Sequence, residues 1–135
     1  MNFSIARLSA GLTLLASISF NSQAHEHPNV FIKSPSDGAT VSSPVKIEFG
    51  LTGMAVSPAG TGPKNSGHHH LIVDGKVPAL DKPMGGNVKH FGKGQTETSL
   101  ELAPGKHTLQ LIMGDKMHTP HKEPVISKQI SITVK

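Results

Sequence analysis

Val45-Lys46-Ile47-Glu48-Phe49-Gly50-Leu51 alternates apolar residues with Lys46, Glu48 and Gly50. A period of two puts the apolar side chains on one face of an extended strand, the signature of a half-buried strand. The same period recurs where Leu109, Leu111 and Met113 alternate with Thr108, Gln110 and Ile112, and again in Ile126, Ile130, Ile132 and Val134. Shorter strand candidates are residues 30–33, 69–73 and 98–102, separated by turn chemistry at Pro35-Ser36-Asp37-Gly38, Asp74-Gly75 and Pro104-Gly105. Residues 76–79 are one more. No helical period competes, so the expected fold is all-β, an immunoglobulin-like β-sandwich of about seven antiparallel strands. Lys128 interrupts the apolar face of the last strand, which predicts an edge position or a bulge there. Residues 52–67, 78–96 and 114–124 carry no strand pattern; the two longer segments, 52–67 and 78–96, are rich in Gly and Pro, and loops of that length in a compact domain usually carry function.

Outside this core the chain begins with Arg7, an apolar stretch over residues 8–20, and Ser22-Gln23-Ala24, with small residues at the two positions a signal peptidase inspects. Residues 1–24 therefore read as a cleaved export signal, too short for a retained membrane span. Residues 25–135 remain as a single domain, expected in the periplasm. The absence of cysteine excludes both a disulfide framework and a thiolate metal site. Despite a net charge of +4, the lysines are scattered singly, and the aromatics beyond the signal are Phe31, Phe49 and Phe91. No basic surface interleaved with stacking rings results, which argues against nucleic acid. There is no serine-centred triad, and Gly92-Lys93-Gly94 lacks the strand–loop–helix setting of a phosphate-binding loop.

All nine histidines follow residue 24, with clusters at His25-Glu26-His27, His68-His69-His70 and His118-Thr119-Pro120-His121. Imidazole is the commonest protein ligand for divalent transition metals. In immunoglobulin-like strand order, the start of the first strand, the loop before residues 69–73 and the loop after residues 107–113 share one end of the sandwich. His25, His27, His68, His70, His118 and His121 are thereby expected at one pole, joined by His90 just before residues 98–102. Along a strand His68 and His70 share a face while His69 points away. Met54, Met113 and Met117 fall at the same pole, with Met84 a lesser candidate; thioethers favour Cu(I), whereas imidazole also suits Cu(II) and Zn(II). The expected cofactor is a copper ion, with zinc as the alternative, in a protein that buffers or delivers metal, with periplasmic copper-handling proteins as candidate partners, rather than an enzyme. Pro120 excludes a helical pairing of His118 with His121, leaving a turn. Asp115 is expected to orient a ligand ring, Asp74-Gly75 to form a turn, and His107, in register with Leu109 and Leu111, to be structural. Free imidazole ligands would lose capacity below roughly pH 6.5.

The blocks Ser34-Pro35 with Asp37-Gly38-Ala39-Thr40-Val41, Phe49-Gly50-Leu51 with Gly53-Met54, Gly67-His68-His69-His70-Leu71-Ile72-Val73-Asp74, His90-Phe91-Gly92-Lys93-Gly94-Gln95-Thr96 and Pro104-Gly105-Lys106-His107-Thr108-Leu109 occur in this order. Across roughly residues 35–134 the chain thereby resembles a family of exported bacterial domains of unknown function, a resemblance that implies export and one domain but no activity. A histidine after Ala24, Ser34-Pro35 with Asp37-Gly38, and the overall size also resemble periplasmic copper-resistance β-sandwiches. That resemblance implies Cu(II) held by the terminal amine and nearby histidines, and maps onto His25 alone. Two other classes compete with metal buffering: an envelope adhesion or assembly module working through the long loops, and a copper enzyme whose N-terminal histidine brace activates oxygen.

Overall fold

The computed structural model describes residues 26–135 together with Ser19 and Ala24. The rest of the expected export signal and His25 lie outside the described residues. The described residues form nine strands: β1 (Asn29–Ser34), β2 (Thr40–Val41), β3 (Val45–Thr52), β4 (Ala55–Val56), β5 (Ser66–Val73), β6 (Lys89–His90), β7 (Glu97–Leu100), β8 (Gly105–Gly114) and β9 (Ile130–Val134). Among the described residues there is no helix, and hence none long and apolar enough to cross a membrane. One sheet has the order β1-β3-β7; the other runs β2-β9-β8-β5-β4, with β6 also pairing with β5. The six longer strands divide between the sheets as the immunoglobulin-like order requires.

Alternation builds the core. Val45, Ile47 and Phe49 on β3 face Leu71 on β5, Leu109, Leu111 and Met113 on β8, and Ile130, Ile132 and Val134 on β9, all within one buried cluster. Each such side chain contributes about 1.5–3 kcal/mol relative to full exposure. The outer face of the larger sheet carries a second, smaller cluster of Ile72 and Ile112 with Met84 and Val88 from the loop after β5. That loop lies over the sheet because it has apolar residues of its own to bury there.

Three departures from expectation have local causes. Residues 76–79 form no strand, since Pro78 lacks an amide hydrogen for a ladder and the chain turns outward after Asp74, whose φ is 53°. The last strand begins at Ile130 rather than near residue 125, because Ser127 takes over the ladder. Its hydroxyl accepts from the Leu111 amide at 2.8 Å and donates to the Lys128 carbonyl at 2.9 Å. Lys128 points to solvent, where it pairs with Asp37 at 3.5 Å. The pairings β2–β9 and β4–β5 are parallel, additions to an otherwise antiparallel frame.

At the far end of β8, His107 has the structural role expected of it. Nδ1 donates to Asp74 Oδ2 at 2.6 Å and Nε2 donates to the Ala103 carbonyl at 2.7 Å. Both partners only accept, so both ring nitrogens carry protons and the ring is an imidazolium. Its pKa is raised, first by the Asp74 hydrogen bond and then by the Ala103 carbonyl. Burial pushes the Asp74 carboxyl up, but the bonds from His107 and the Thr108 amide outweigh it and hold the carboxyl below its ordinary value. A histidine whose folded pKa is raised stabilises the fold fully below its unfolded value near 6.5, and that contribution fades as pH rises through the folded pKa. Asp74→Asn keeps the left-handed turn and an acceptor for Thr108 but removes the charge. Urea midpoints should show a loss on the order of 1 kcal/mol or less at pH 6 that shrinks toward pH 9; a pH-independent loss would contradict the imidazolium.

Candidate metal centre

Ladder register decides which histidines can meet. β5 is paired with β8 along one side, with His68 opposite Gly114, His69 opposite Met113 and His70 opposite Ile112. His68 and His70 therefore project from the outer face, while His69 and Met113 project between the sheets. On its other side β5 pairs with β6, setting His90 directly across from His70. His68 and His70 have no exposed surface, and their ring centroids are 4.5 Å apart.

His118 completes the group from the turn after β8. Its φ of 62° is the left-handed region, costly for a residue with a Cβ, and the turn around it is tightly bonded. Asp115 Oδ1 accepts from the amides of Met117 at 2.8 Å and Thr119 at 3.0 Å. The His118 amide donates to the Asp115 carbonyl, and the His118 carbonyl accepts from the Met84 amide, both at 2.9 Å. Asp115 thus orients a candidate ligand, but through the backbone of its turn rather than through a ring nitrogen.

Three imidazole nitrogens surround His118 Nδ1: His68 Nε2 at 2.9 Å, His90 Nδ1 at 3.1 Å and His70 Nε2 at 3.3 Å. The ligating atoms of His68, His70 and His118 all lie within 4.8 Å of one another. His90 Nε2 donates to the Gly85 carbonyl at 2.8 Å, which leaves the Nδ1 lone pair of the neutral ring facing the group. A neutral imidazole nitrogen either donates one proton or offers one in-plane lone pair, so His118 Nδ1 can make one good hydrogen bond among three neighbours. The other contacts set lone pairs or protons against each other. A cation accepting the lone pairs removes that conflict, and His68, His70 and His118 fit a metal ion.

The electrostatics keep the inner rings ready to bind. Burial, then the neighbouring imidazoles His118 and His90, lowers the pKa of His68 to about 4; burial and then His68 lowers His70 to about 3. Burial thus favours the neutral, lone-pair-bearing form of this pair below the ordinary imidazole range. His69, also lowered to about 4 first by burial, lies against Phe49 with ring centroids 5.0 Å apart, and neither of its nitrogens has a hydrogen-bond partner.

The remaining candidates lie elsewhere. Met113 is fully buried in the inter-sheet core, on the opposite face from His68 and His70. Met117 is 61% exposed, and His27 is exposed with its carbonyl against Gly53. His121 and Met54 line a separate cleft of about 550 Å³ with Pro28, Ser66 and Asp115. The buried Nε2 of His121 lies beside Gly67 and has no partner. The turn that excludes a helix thus sends His118 and His121 to different sides of β5. The methionine that does reach the group is Met84: a Cβ built on Gly114 would lie 2.9 Å from its Cε and 2.5 Å from His70 Cε1.

Gly114 is thereby a positioning residue that sequence reasoning missed; its only signal was a glycine closing a strand. Its backbone is outside the left-handed region, so alanine is acceptable there except for the ring above it. Gly114→Ala should displace His70 and weaken metal binding at least about tenfold, with a stability cost of about 1–3 kcal/mol from overpacking; calorimetric titration and urea unfolding check the two together. Acidification supplies a second test. Because the folded pKa values of His68, His69 and His70 are depressed, the unfolded chain binds more protons between pH 6.5 and about 4, and metal-free stability should fall through that window. A urea midpoint that rises on acidification from pH 6.5 to 4.5 would contradict neutral burial of these rings.

No curated protein and no solved structure matches the chain significantly, so the likeness to copper-resistance proteins rests on the residues quoted for it. A family model described as a domain of unknown function, DUF4399, matches residues 47–135. The match covers both the triple histidine and the turn bearing His118, and it agrees with the expected resemblance to an uncharacterised domain family. This chain belongs to the DUF4399 family.

Proposed function

We propose that this protein is an exported domain that buffers or delivers a transition-metal ion, copper first and zinc as the alternative, through His68, His70, His118 and His90. The observation that carries the reading is the convergence of three ring nitrogens on His118 Nδ1 within 2.9–3.3 Å, an arrangement neutral imidazoles cannot satisfy by hydrogen bonds alone. Burial supports it, because His68 and His70 are fully buried with their Nε2 atoms crowded on one nitrogen of His118, and an ion among them would replace that conflict with coordination. The carbonyl of Gly85 behind His90 is the outer partner that ligand histidines commonly have. The Arg7, apolar and Ser22-Gln23-Ala24 pattern supports export, and with it a periplasmic setting in which the proposed partners are other copper-handling proteins.

Titration of the natively processed protein with Cu(I), Cu(II) and Zn(II) tests the assignment. One equivalent should bind with a rise in melting temperature that a chelator reverses; saturation at a hundredfold excess over Kd adds about 2.7 kcal/mol. His118→Ala, on a surface turn, should lower affinity at least about a hundredfold, and His68→Ala/His70→Ala should abolish binding. His107→Ala, at the other end of β8, should leave affinity unchanged. Equal affinity in wild type and His118→Ala would end the proposal.

A further inference from the structure

We propose that His90 is the transfer ligand of this centre, where an ion first lands and last leaves, and that His68, His70 and His118 form the seat it is passed to. The inference rests on the metal-binding reading above and adds the route by which the seat is filled and emptied.

Position supplies the first argument. The ligating atoms of His68, His70 and His118 lie within 4.8 Å of one another, and His90 stands outside that set. Its ring-nitrogen contact with the set is a single one, Nδ1 to His118 Nδ1 at 3.1 Å. His68 and His70 have no exposed surface, and the outer face beyond them is closed by Met84 and Val88 packed on Ile72 and Ile112. Solvent therefore reaches the group at the half-buried His118 and the exposed His90.

Proton placement supplies the second. His118 Nδ1 hydrogen-bonds to one of its three neighbours, and in any bond between two ring nitrogens one of them carries the proton. His90 Nδ1 is not the carrier. Its Nε2 donates to the Gly85 carbonyl at 2.8 Å, which fixes the proton of the neutral ring there and leaves a free lone pair on Nδ1. Whichever neighbour His118 bonds, the proton thus sits on a nitrogen of the seat, and it must move before that nitrogen can hold an ion. An ion arriving from solvent meets one exposed lone pair that needs no such rearrangement, on His90. It is held there, beside His118, while the seat shifts its proton. By microscopic reversibility a ligand used on the way in is used on the way out, so His90 lowers the barrier in both directions and leaves the equilibrium where it is.

The test follows loading and unloading of the processed protein by stopped flow, using whichever of Cu(I), Cu(II) and Zn(II) binds in the titration above, supplied and withdrawn by a chromophoric chelator. His90→Ala should slow both directions at least about tenfold while Kd stays within about threefold of wild type. That substitution also releases the Gly85 carbonyl, so free imidazole added to the solution gives a separate reading. It should restore the lost rates in His90→Ala, which a loosened loop would not allow. Nitrogen NMR of the metal-free protein at about pH 8, where histidine is neutral, should find the His90 proton on Nε2. Unchanged rates in His90→Ala, slowing that imidazole does not relieve, or a proton on His90 Nδ1 would each overturn the route. So would a loss of affinity as large as that of His118→Ala, which would make His90 part of the seat and leave the metal site standing. If no ion's binding responds to His118→Ala, the metal site itself is wrong, and the route falls with it.

Discussion

The pairing of β5 with β8 is the constraint from which the rest of the molecule takes its form. With His68 opposite Gly114 and His70 opposite Ile112, a strand with no exposed side chain before Val73 sends its even-numbered residues outward and its odd-numbered residues into the core. A slip of one residue would put His69 alone on the outer face and bury His68 and His70 between the sheets. The register is protected on the inner face by Leu71, Leu109 and Leu111, all without exposure, so the hydrophobic core holds the imidazoles in place.

The second contribution comes from two loops that a sandwich does not require. The loop after β5 buries Met84 and Val88 on the outer face and presents the Gly85 carbonyl to His90. The turn after β8 spends the strain of one left-handed residue to aim His118 at the strand, and Asp115 repays it with amide bonds. The Met84 amide joins the two loops through the His118 carbonyl. Rigid sheet and bonded loops thus meet at one nitrogen.

Much of this was legible in the residues. Period-two alternation in residues 45–51 and 108–113 specifies strands and their buried faces, and the same alternation separates His69 from His68 and His70. Strand order brings residues 68–70, 90 and 118 to one end of the larger sheet. Less legible was which side of a strand a loop residue takes: His118 and His121 are three residues apart yet fall on opposite sides of β5, because a φ of 62° at His118 redirects the chain. Met113 departs from expectation for a related reason: it lies near the histidine end in sequence, but strand parity sets it opposite His69 on the inner face. Gly114 leaves no trace in composition, since its importance is the missing Cβ beneath a ring contributed by another strand.

Exposure rises steadily across the four rings, from His68 and His70, which have none, through the half-buried His118 to the exposed His90. An ion seated among them would be gripped unevenly, tethered firmly from the sheet and loosely from the rim. It would leave by shedding rim ligands one at a time, each vacancy open to an incoming donor, so thermodynamic tightness and kinetic lability could coexist in one small cage.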